Sequence, residues 1–254
     1  MELNLAGKTA VVTGAGNGIG LAVTRALVAE GVTVFGGART VSADLKEATD
    51  HVLEVDLATP DGPAELIDAA LRAFGGIDIL VNNVGGGVRM ASGFADTDDD
   101  TWIRAFELNV LSTVRATRAA LPSLIERRGA VVNISSVNAT LADPKLAPYS
   151  ACKAALTNIT KALANEVNPL GVRVNSISPG PVRTRIWTNP ELAKRMGLTP
   201  EEFIAKVPAM SGLATGNMIE VGEIASLVLL LVSGRVPNVV GSDYTIDAGM
   251  LRAT

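Results

Sequence analysis

A phenol and an ammonium group stand four residues apart in the stretch YSACKAAL, at Tyr149 and Lys153. Residues at positions i and i+4 of a helix are neighbours on one face, so a helix here would place the two groups side by side. Both side chains can give up or accept a proton, and together they could perform acid–base chemistry. By itself this spacing is common and usually marks a surface pair, so its meaning depends on the residues around it.

Three further polar segments could share a site with this pair. The segment NISS, Asn133–Ser136, ends a predicted parallel strand, and LVNNVGG, Leu80–Gly86, ends another. The segment LNV, Leu108–Val110, follows on the next predicted helix. Ligands of open α/β sheets bind outside the carboxyl ends of the strands. These segments therefore predict a site at that edge of the sheet.

A glycine-rich turn, VVTGAGNGIG at Val11–Gly20, stands where a first strand ends and a first helix begins. Its glycines let the backbone turn sharply, and a helix N-terminus offers free N–H groups to a pyrophosphate. The spacing is Gly-x-x-x-Gly-x-Gly rather than Gly-x-Gly-x-x-Gly, because Ile19 occupies the sixth position. The turn could be a tight connection without a ligand, but its place in the first βα unit favours a dinucleotide.

The end of the second strand indicates which dinucleotide would bind. A site that prefers NAD has an acidic residue there for the ribose 2′-hydroxyl, whereas this chain reads FGGART, with Ala38 followed by Arg39. A guanidinium suits a 2′-phosphate, because its charge is permanent and its donors are bidentate. We therefore predict NADP(H) in preference to NAD(H), with a solvated loop charge at Arg39 as the alternative.

Short apolar runs alternate with stretches of helical period along the chain. Strands are predicted at Thr9–Thr13, Val32–Gly36, Val52–Val55, Ile77–Val81, Ala130–Ser135 and Val172–Ser178, and helices at Pro63–Phe74, Thr97–Arg127 and Tyr149–Asn168. The short polar stretch Ser42–Asp50 predicts a reduced helix after the second strand. Near-continuous apolar strands between amphipathic helices indicate a parallel sheet covered on both faces. The predicted fold is α/β: a single Rossmann-type, doubly wound domain over residues 1–254, with a parallel sheet of about seven strands and helices on both faces.

One long stretch, Pro181–Ile219, has no predicted strand and holds Trp187, Met196, Phe203 and Met210 among polar residues. Excursions of this length are often lids or binding segments, so it is predicted to bind substrate. The alternative is a surface subdomain that packs on its own apolar residues.

Composition excludes several classes of protein. The chain has 254 residues, of which 48% are hydrophobic and 19% charged, as in ordinary globular proteins. A net charge of −4 gives no basic footprint for nucleic acid. The longest branched apolar run, Leu227–Val232, is too short for a membrane helix, and no signal peptide is visible. A single cysteine, Cys152, fits a reducing compartment, so we expect a cytoplasmic protein. No pattern predicts a metal site.

Taken together, these motifs resemble the short-chain dehydrogenase/reductase family over essentially the whole chain. The matching elements are Thr13-Gly14-x-x-x-Gly18-Ile19-Gly20, Asp56, Asn82-Asn83-Val84-Gly85, Asn109, Ser136, Tyr149-x-x-x-Lys153, and Pro179-Gly180 followed by Val182 and Thr184. Each element is weak alone, and their joint order and spacing carry the resemblance.

The resemblance implies an oxidoreductase that interconverts an alcohol and a carbonyl compound. Tyr149 would be the general acid and base, and Lys153 would favour its phenolate and hold the nicotinamide ribose. Ser136 would hydrogen-bond the substrate oxygen, and Asn109 would hold a water that relays protons from Lys153. Contacts to the cofactor are implied for Gly14, Asn17, Gly18, Ile19, Gly20, Arg39, Asp56, Leu57, Asn83, Gly85, Tyr149, Lys153, Pro179, Gly180, Val182 and Thr184. Members of the family are usually dimers or tetramers, so a homo-oligomer is expected.

Some residues depart from the family pattern. Asn17 occupies a position that is often Arg or Lys in NADP-preferring members, which weakens the preference for NADP(H) over NAD(H). Val84 replaces a common alanine, and IDAGM, Ile246–Met250, replaces a common Asp-Gly-Gly. The rival hypotheses are a dinucleotide-binding regulator that has lost its chemistry, or another enzyme class on the same fold.

Three features of the sequence have no assigned role in the implied chemistry. Cys152 shares a small apolar stripe with Leu156, Ile159 and Leu163, so it is predicted to be packing. His51 has no partner motif and is predicted to be structural. The turn GGGVRM, Gly85–Met90, with Asn138 and Leu141, is expected to shape a substrate pocket whose ligand the sequence does not identify.

Overall fold

The structure is a computed structural model that describes residues 2–86 and 93–252. Its strands are β1 Thr9–Thr13, β2 Thr33–Ala38, β3 His51–Glu54, β4 Ile79–Asn82, β5 Ala130–Ile134, β6 Arg173–Pro179 and β7 Asp243–Ile246. These seven strands of the described residues form one sheet in the order β3-β2-β1-β4-β5-β6-β7, and every neighbouring pair is parallel. The predicted fold class is confirmed.

The helices of the described residues are α1 Gly18–Ala29, α2 Ala43–Ala48, α3 Gly62–Phe74, α4 Asp99–Phe106, α5 Ser112–Arg127, α6 Ala147–Val167, α7 Pro190–Arg195, α8 Pro200–Met210 and α9 Val221–Val232. The sequence marks several of their starts. Ser42 caps α2 by accepting from the Leu45 N–H at 3.1 Å, and Thr199 and Glu202 form a capping box at α8. The helix after β2 is short, as predicted. No helix in the described part of the chain is long and apolar enough to cross a membrane.

Two apolar layers cover the sheet, one on each face. Along β1, Ala10 and Val12 join the layer that contains α1 and α9, whereas Val11 joins the layer that contains α3 and α5. Successive side chains of a strand point to opposite faces, which is why a strand buried on both faces reads as a continuous apolar run.

Most elements differ from the predicted ones by one or two residues at their ends, and two of the differences bear on the site. β2 continues beyond Gly36 to Ala38, because its pairing with β3 extends to the register Ala38–Glu54. The single helix predicted over Thr97–Arg127 is instead α4 and α5 joined by a π-helical turn, Glu107–Leu111. The stretch stays helical on both sides of the extra residue, so the pattern predicts a helix without locating the π-helical turn.

The excursion Pro181–Ile219 carries α7 and α8 and has its own apolar cluster. Trp187 stacks on Phe203 with ring centroids 6.2 Å apart. Met196 and Met210 are exposed instead of joining the cluster. The two ends of the excursion are joined, since the Arg183 N–H donates to the Ile219 carbonyl at 2.8 Å.

Candidate active site

Four strands end at the edge of the sheet where the predicted site residues lie. β1 leads into the glycine-rich loop, β4 into Asn83, β5 into Ser136 and β6 into Gly180. The strand order reverses between β1 and β4, which are neighbours in the sheet. Ligands of doubly wound sheets bind at such a switch point.

The glycine-rich loop is folded too tightly for a side chain at its last glycine. A Cβ on Gly20 would lie 2.3 Å from the Gly14 carbonyl oxygen, and Gly14 itself has a φ of +65°. Asn17 is the N-cap of α1, and its exposed side chain makes no capping hydrogen bond. The first N–H groups of α1 are therefore placed to bind an anion such as a pyrophosphate.

Asn83 braces this loop from the neighbouring strand. Its side-chain amide donates to the carbonyl oxygens of Thr13 at 3.1 Å and Gly14 at 3.0 Å. The Thr13 hydroxyl in turn accepts from the Asn83 N–H at 2.9 Å. These contacts are not predictable from the sequence alone, because they depend on β1 and β4 being adjacent. The predicted contact of Asn83 with the cofactor stays a prediction.

Arg39 lies just beyond β2, close to the same loop. The Ser42 hydroxyl donates to the Gly16 carbonyl at 2.8 Å and joins the two segments. The Arg39 side chain is exposed, and within the described ranges it makes no ion pair. Its guanidinium could therefore bind a phosphate on a ligand lying along the loop.

Asp56 and Leu57 follow β3 and face different surroundings. The exposed Asp56 carboxylate accepts from the Ala58 N–H at 2.9 Å. The Leu57 side chain is buried in the layer that contains α3. Any contact that Leu57 makes with a ligand would therefore come from its backbone.

Helix α6 brings Tyr149 and Lys153 together, as the spacing predicts. The Lys153 Nζ lies 5.7 Å from the centre of the Tyr149 ring. Ser136 follows β5, and its hydroxyl lies close enough to the Tyr149 phenol to lower the pKa of that phenol. Lys153 is 3% exposed, and its Nζ donates to the Ile134 carbonyl at 2.9 Å. The phenol, hydroxyl and ammonium groups thus converge on one point at the carboxyl edge of the sheet.

Asn109 lies inside the π-helical turn and is fully buried. Its Oδ1 accepts from the Gly86 N–H at 2.8 Å, and its Nδ2 donates to the Ala105 carbonyl at 2.9 Å. A Cβ on Gly85 would lie 2.9 Å from Asn109 Oδ1 and 3.0 Å from Lys153 Nζ. Only glycine therefore fits at position 85 without displacing the asparagine or the lysine.

The start of the excursion completes the rim of the site. The Gly180 N–H donates to the Ile246 carbonyl at 2.9 Å, which continues the pairing of β6 with β7 after Pro179. Val182 is buried, and a Cβ on Gly18 would lie 3.2 Å from the Thr184 methyl group. The Pro179–Thr184 segment therefore approaches the glycine-rich loop. Residues 87–90 of the predicted GGGVRM turn lie outside the described residues.

Burial sets the protonation of the two central groups. It raises the pKa of Tyr149 above 10.0, an effect that the nearby Ser136 hydroxyl opposes. It lowers the pKa of Lys153 from 10.5 to about 8. Without a ligand, the phenol is therefore neutral near pH 7, and the lysine loses its proton far more readily than an exposed one.

The Lys153 shift predicts a pH-dependent stability. Between about pH 8 and pH 10.5 the unfolded chain binds more protons at this lysine, so its contribution to the free energy of unfolding rises with pH. Across this pH window, we expect the free energy of unfolding of wild type to rise relative to that of Lys153→Met by on the order of 3 kcal/mol. Denaturant titrations below and above this window measure it, with the exposed Lys161→Met as the matched control. Parallel pH dependences of wild type and Lys153→Met would contradict the prediction.

Two residues that were predicted to be structural have structural surroundings. Cys152 is fully buried and packs in a small cluster with Ala105 and Val110. His51 opens β3 and lies against Phe74, with ring centroids 4.8 Å apart. The prediction that both side chains are packing residues agrees with these surroundings.

The Cys152 thiol should be unreactive in the folded protein. Burial raises its pKa from 9.0 to about 11, so the reactive thiolate is scarce near neutral pH. We expect a disulfide reagent to label the folded chain at least about 100-fold more slowly than the denatured chain. Since Cys152 is the single cysteine, the absorbance of the released thiol reports on it alone. Rapid stoichiometric labelling of the folded protein would show that α6 is more open than the structure indicates.

Comparisons with known proteins agree with this geometry. Residues 8–194 match the model of the short chain dehydrogenase family. The chain is 32% identical to D-beta-hydroxybutyrate dehydrogenase of Rhizobium meliloti, over 95% of this chain and 98% of that protein. It is 33% identical to carbonyl reductase (NADPH) 2 of Sus scrofa, over 99% of both chains. L-sorbose reductase of Gluconobacter frateurii, solved with NADPH and L-sorbose, superimposes with a TM-score of 0.93 at 33% identity and covers 100% of both chains. The chain belongs to the short-chain dehydrogenase family.

Proposed function

We propose that the protein is an NADP(H)-dependent oxidoreductase that interconverts a secondary alcohol and a ketone or other carbonyl compound. The observation that carries this proposal is the convergence of Ser136, Tyr149 and Lys153 at the edge of the sheet that also holds the glycine-rich loop. A bound nicotinamide supplies the hydride in reduction and accepts it in oxidation. The residues of the chain then have to hold the substrate and move one proton.

Tyr149 acts as the general acid in reduction, giving its phenolic proton to the substrate oxygen, and as the general base in oxidation. Lys153 favours the resulting phenolate, because its charge lies on the same face of α6. Ser136 donates to the substrate oxygen and stabilises the charge that develops there. Asn109 keeps Gly86 in place and holds a water that returns a proton to the lysine.

The loop geometry fits a dinucleotide. The α1 N-terminus and the tight turn at Gly14 and Gly20 would hold the pyrophosphate, and Arg39 would hold a 2′-phosphate. The remaining contacts to the cofactor are proposed for Asn17, Gly18, Ile19, Asp56, Leu57, Asn83, Gly85, Tyr149, Lys153, Pro179, Gly180, Val182 and Thr184. The likeness to a sorbose reductase solved with NADPH supports the choice of cofactor.

NAD(H) is the second candidate cofactor. Arg39 would bind the 2′-phosphate without a second cation at position 17, which reduces the preference for NADPH over NADH. Homo-oligomeric assembly and a cytoplasmic location stay predictions, as does the binding of substrate by the excursion Pro181–Ile219.

Dissociation constants for NADPH and NADH test the cofactor without any knowledge of the substrate. We expect NADPH to bind at least about tenfold more tightly. A panel of carbonyl compounds with NADPH then tests the chemistry, beginning with keto-sugars and β-keto acids, since relatives are named for L-sorbose and D-beta-hydroxybutyrate. If neither dinucleotide binds, the proposed function is wrong, and so is the alternative hypothesis of a dinucleotide-binding regulator. Binding without turnover on a broad panel would favour the regulator.

A further inference from the structure

Asn138 contacts Ser136 and the first turn of α6, which carries Tyr149. Its backbone N–H donates to Ser136 Oγ at 3.1 Å, and the Ser136 hydroxyl donates to Asn138 Oδ1 at 3.3 Å. Its Nδ2 donates to the Ser150 hydroxyl at 3.4 Å, next to Tyr149 in α6. The carboxamide is therefore held with its oxygen towards Ser136.

A serine hydroxyl has one proton and two lone pairs. In this structure Asn138 Oδ1 accepts that proton, while the Asn138 N–H occupies one lone pair. The Tyr149 phenolate and the oxygen of a substrate would compete for the same proton. Donation from Ser136 to the phenolate favours the ionised form. Whatever holds the Ser136 proton therefore influences when Tyr149 can act.

We propose that Asn138 is a positioning residue that holds the Ser136 proton until the substrate oxygen takes it. This inference rests on the proposed function, because it assigns a role in the same proton transfer. The Ser136–Asn138 contact of 3.3 Å is long for a hydroxyl donor, whose usual distance is about 2.7–2.8 Å. The proton is therefore held weakly, and giving it up costs little.

The backbone contact makes it possible to distinguish the proposed role of the Asn138 side chain from simple capping of the loop. Any residue at position 138 other than proline keeps an N–H that can donate to Ser136 Oγ. Only the side-chain oxygen accepts the Ser136 proton. Replacing the side chain therefore removes the proposed function of Asn138 and leaves the backbone contact in place.

Two variants of Asn138 are expected to shift the ionisation of Tyr149 in opposite directions. Asn138→Ala frees the Ser136 proton to donate to the phenolate, so the pKa of Tyr149 should fall by about one unit. Asn138→Asp adds a stronger acceptor and a negative charge, so the pKa should rise by about one unit. Among the described residues, the ionisable groups that otherwise act on the phenol are Lys153 and Cys152, both from α6, and they are unchanged.

The pKa can be read without turnover. The chain has two tyrosines, so in a Tyr244→Phe background the phenolate absorbance reports on Tyr149 alone. Circular dichroism at each pH confirms that the fold persists, and Asn165→Ala, at an exposed position of α6, is the matched control. Where turnover is found, the acidic limb of the oxidation profile should move with the absorbance titration, and kcat of Asn138→Ala should fall several-fold.

The alanine variant decides the outcome, because a charge at position 138 alone would also raise the pKa. A fall in Asn138→Ala with a rise in Asn138→Asp supports the proposal. An alanine variant that titrates like Asn165→Ala, or that shifts in the same direction as the aspartate variant, overturns it. Opposite shifts in a protein that turns over no alcohol or carbonyl compound would support the control of Ser136 by Asn138 while overturning the proposed function.

Discussion

Tyr149→Phe is expected to lower kcat by about 10³-fold and to leave the dissociation constant of NADPH within about twofold of wild type. The variant keeps the ring that lies beside Lys153 and removes only the hydroxyl. No other phenol is available, since the second tyrosine, Tyr244, belongs to β7. The reduction of a carbonyl compound then has no proton donor beside Ser136, so the loss should appear in kcat rather than in cofactor binding.

Steady-state kinetics with NADPH, together with direct titration of the cofactor, measure both quantities. Tyr244→Phe is the matched control, because it makes the same chemical change away from the site and should retain kcat within about twofold. Substantial residual activity in Tyr149→Phe would refute the role of this phenol. A large rise in the dissociation constant would instead indicate that the hydroxyl holds the nicotinamide ribose.

The sequence predicts the sheet and the edge that carries the site, because both follow from local patterns. Continuous apolar runs such as Val11–Val12 identify strands buried on two faces. The carboxyl ends of parallel strands must meet at one edge, which brings Ser136 near Asn83 without any knowledge of side-chain positions. The i, i+4 spacing of Tyr149 and Lys153 needs only that α6 is a helix.

The features that the sequence does not predict depend on contacts between distant segments. The π-helical turn that contains the buried Asn109 is not predicted, because the chain stays helical on both sides of the extra residue. The amide of Asn83 reads as a ligand group, although both of its donors are used by the loop after β1. From the sequence, Asn138 is predicted only to line the pocket. Its contact with Ser136 depends on the side-chain rotamers of these two residues after β5, which residue spacing does not determine.

Cofactor preference should follow the two residues at the end of β2. Ala38→Asp with Arg39→Leu is expected to change the ratio of kcat/KM for NADPH over NADH by about 100-fold or more in favour of NADH. Loss of the guanidinium removes a charge-assisted contact with the 2′-phosphate, worth about 1.5–3 kcal/mol. The new carboxylate repels that phosphate and accepts from the 2′-hydroxyl of NADH.

Single variants separate these two effects. Arg39→Leu alone should lower kcat/KM for NADPH by about 10–100-fold and leave that for NADH nearly unchanged. Arg72→Leu, at an exposed position of α3, controls for the loss of one positive charge from the surface. Because Arg39 is exposed and makes no ion pair in the described part of the chain, its removal should cost little stability. If the ratio of kcat/KM for NADPH over NADH is unchanged in the double variant, Arg39 is an ordinary solvated charge. The α1 N-terminus is then the anion-binding element of the site.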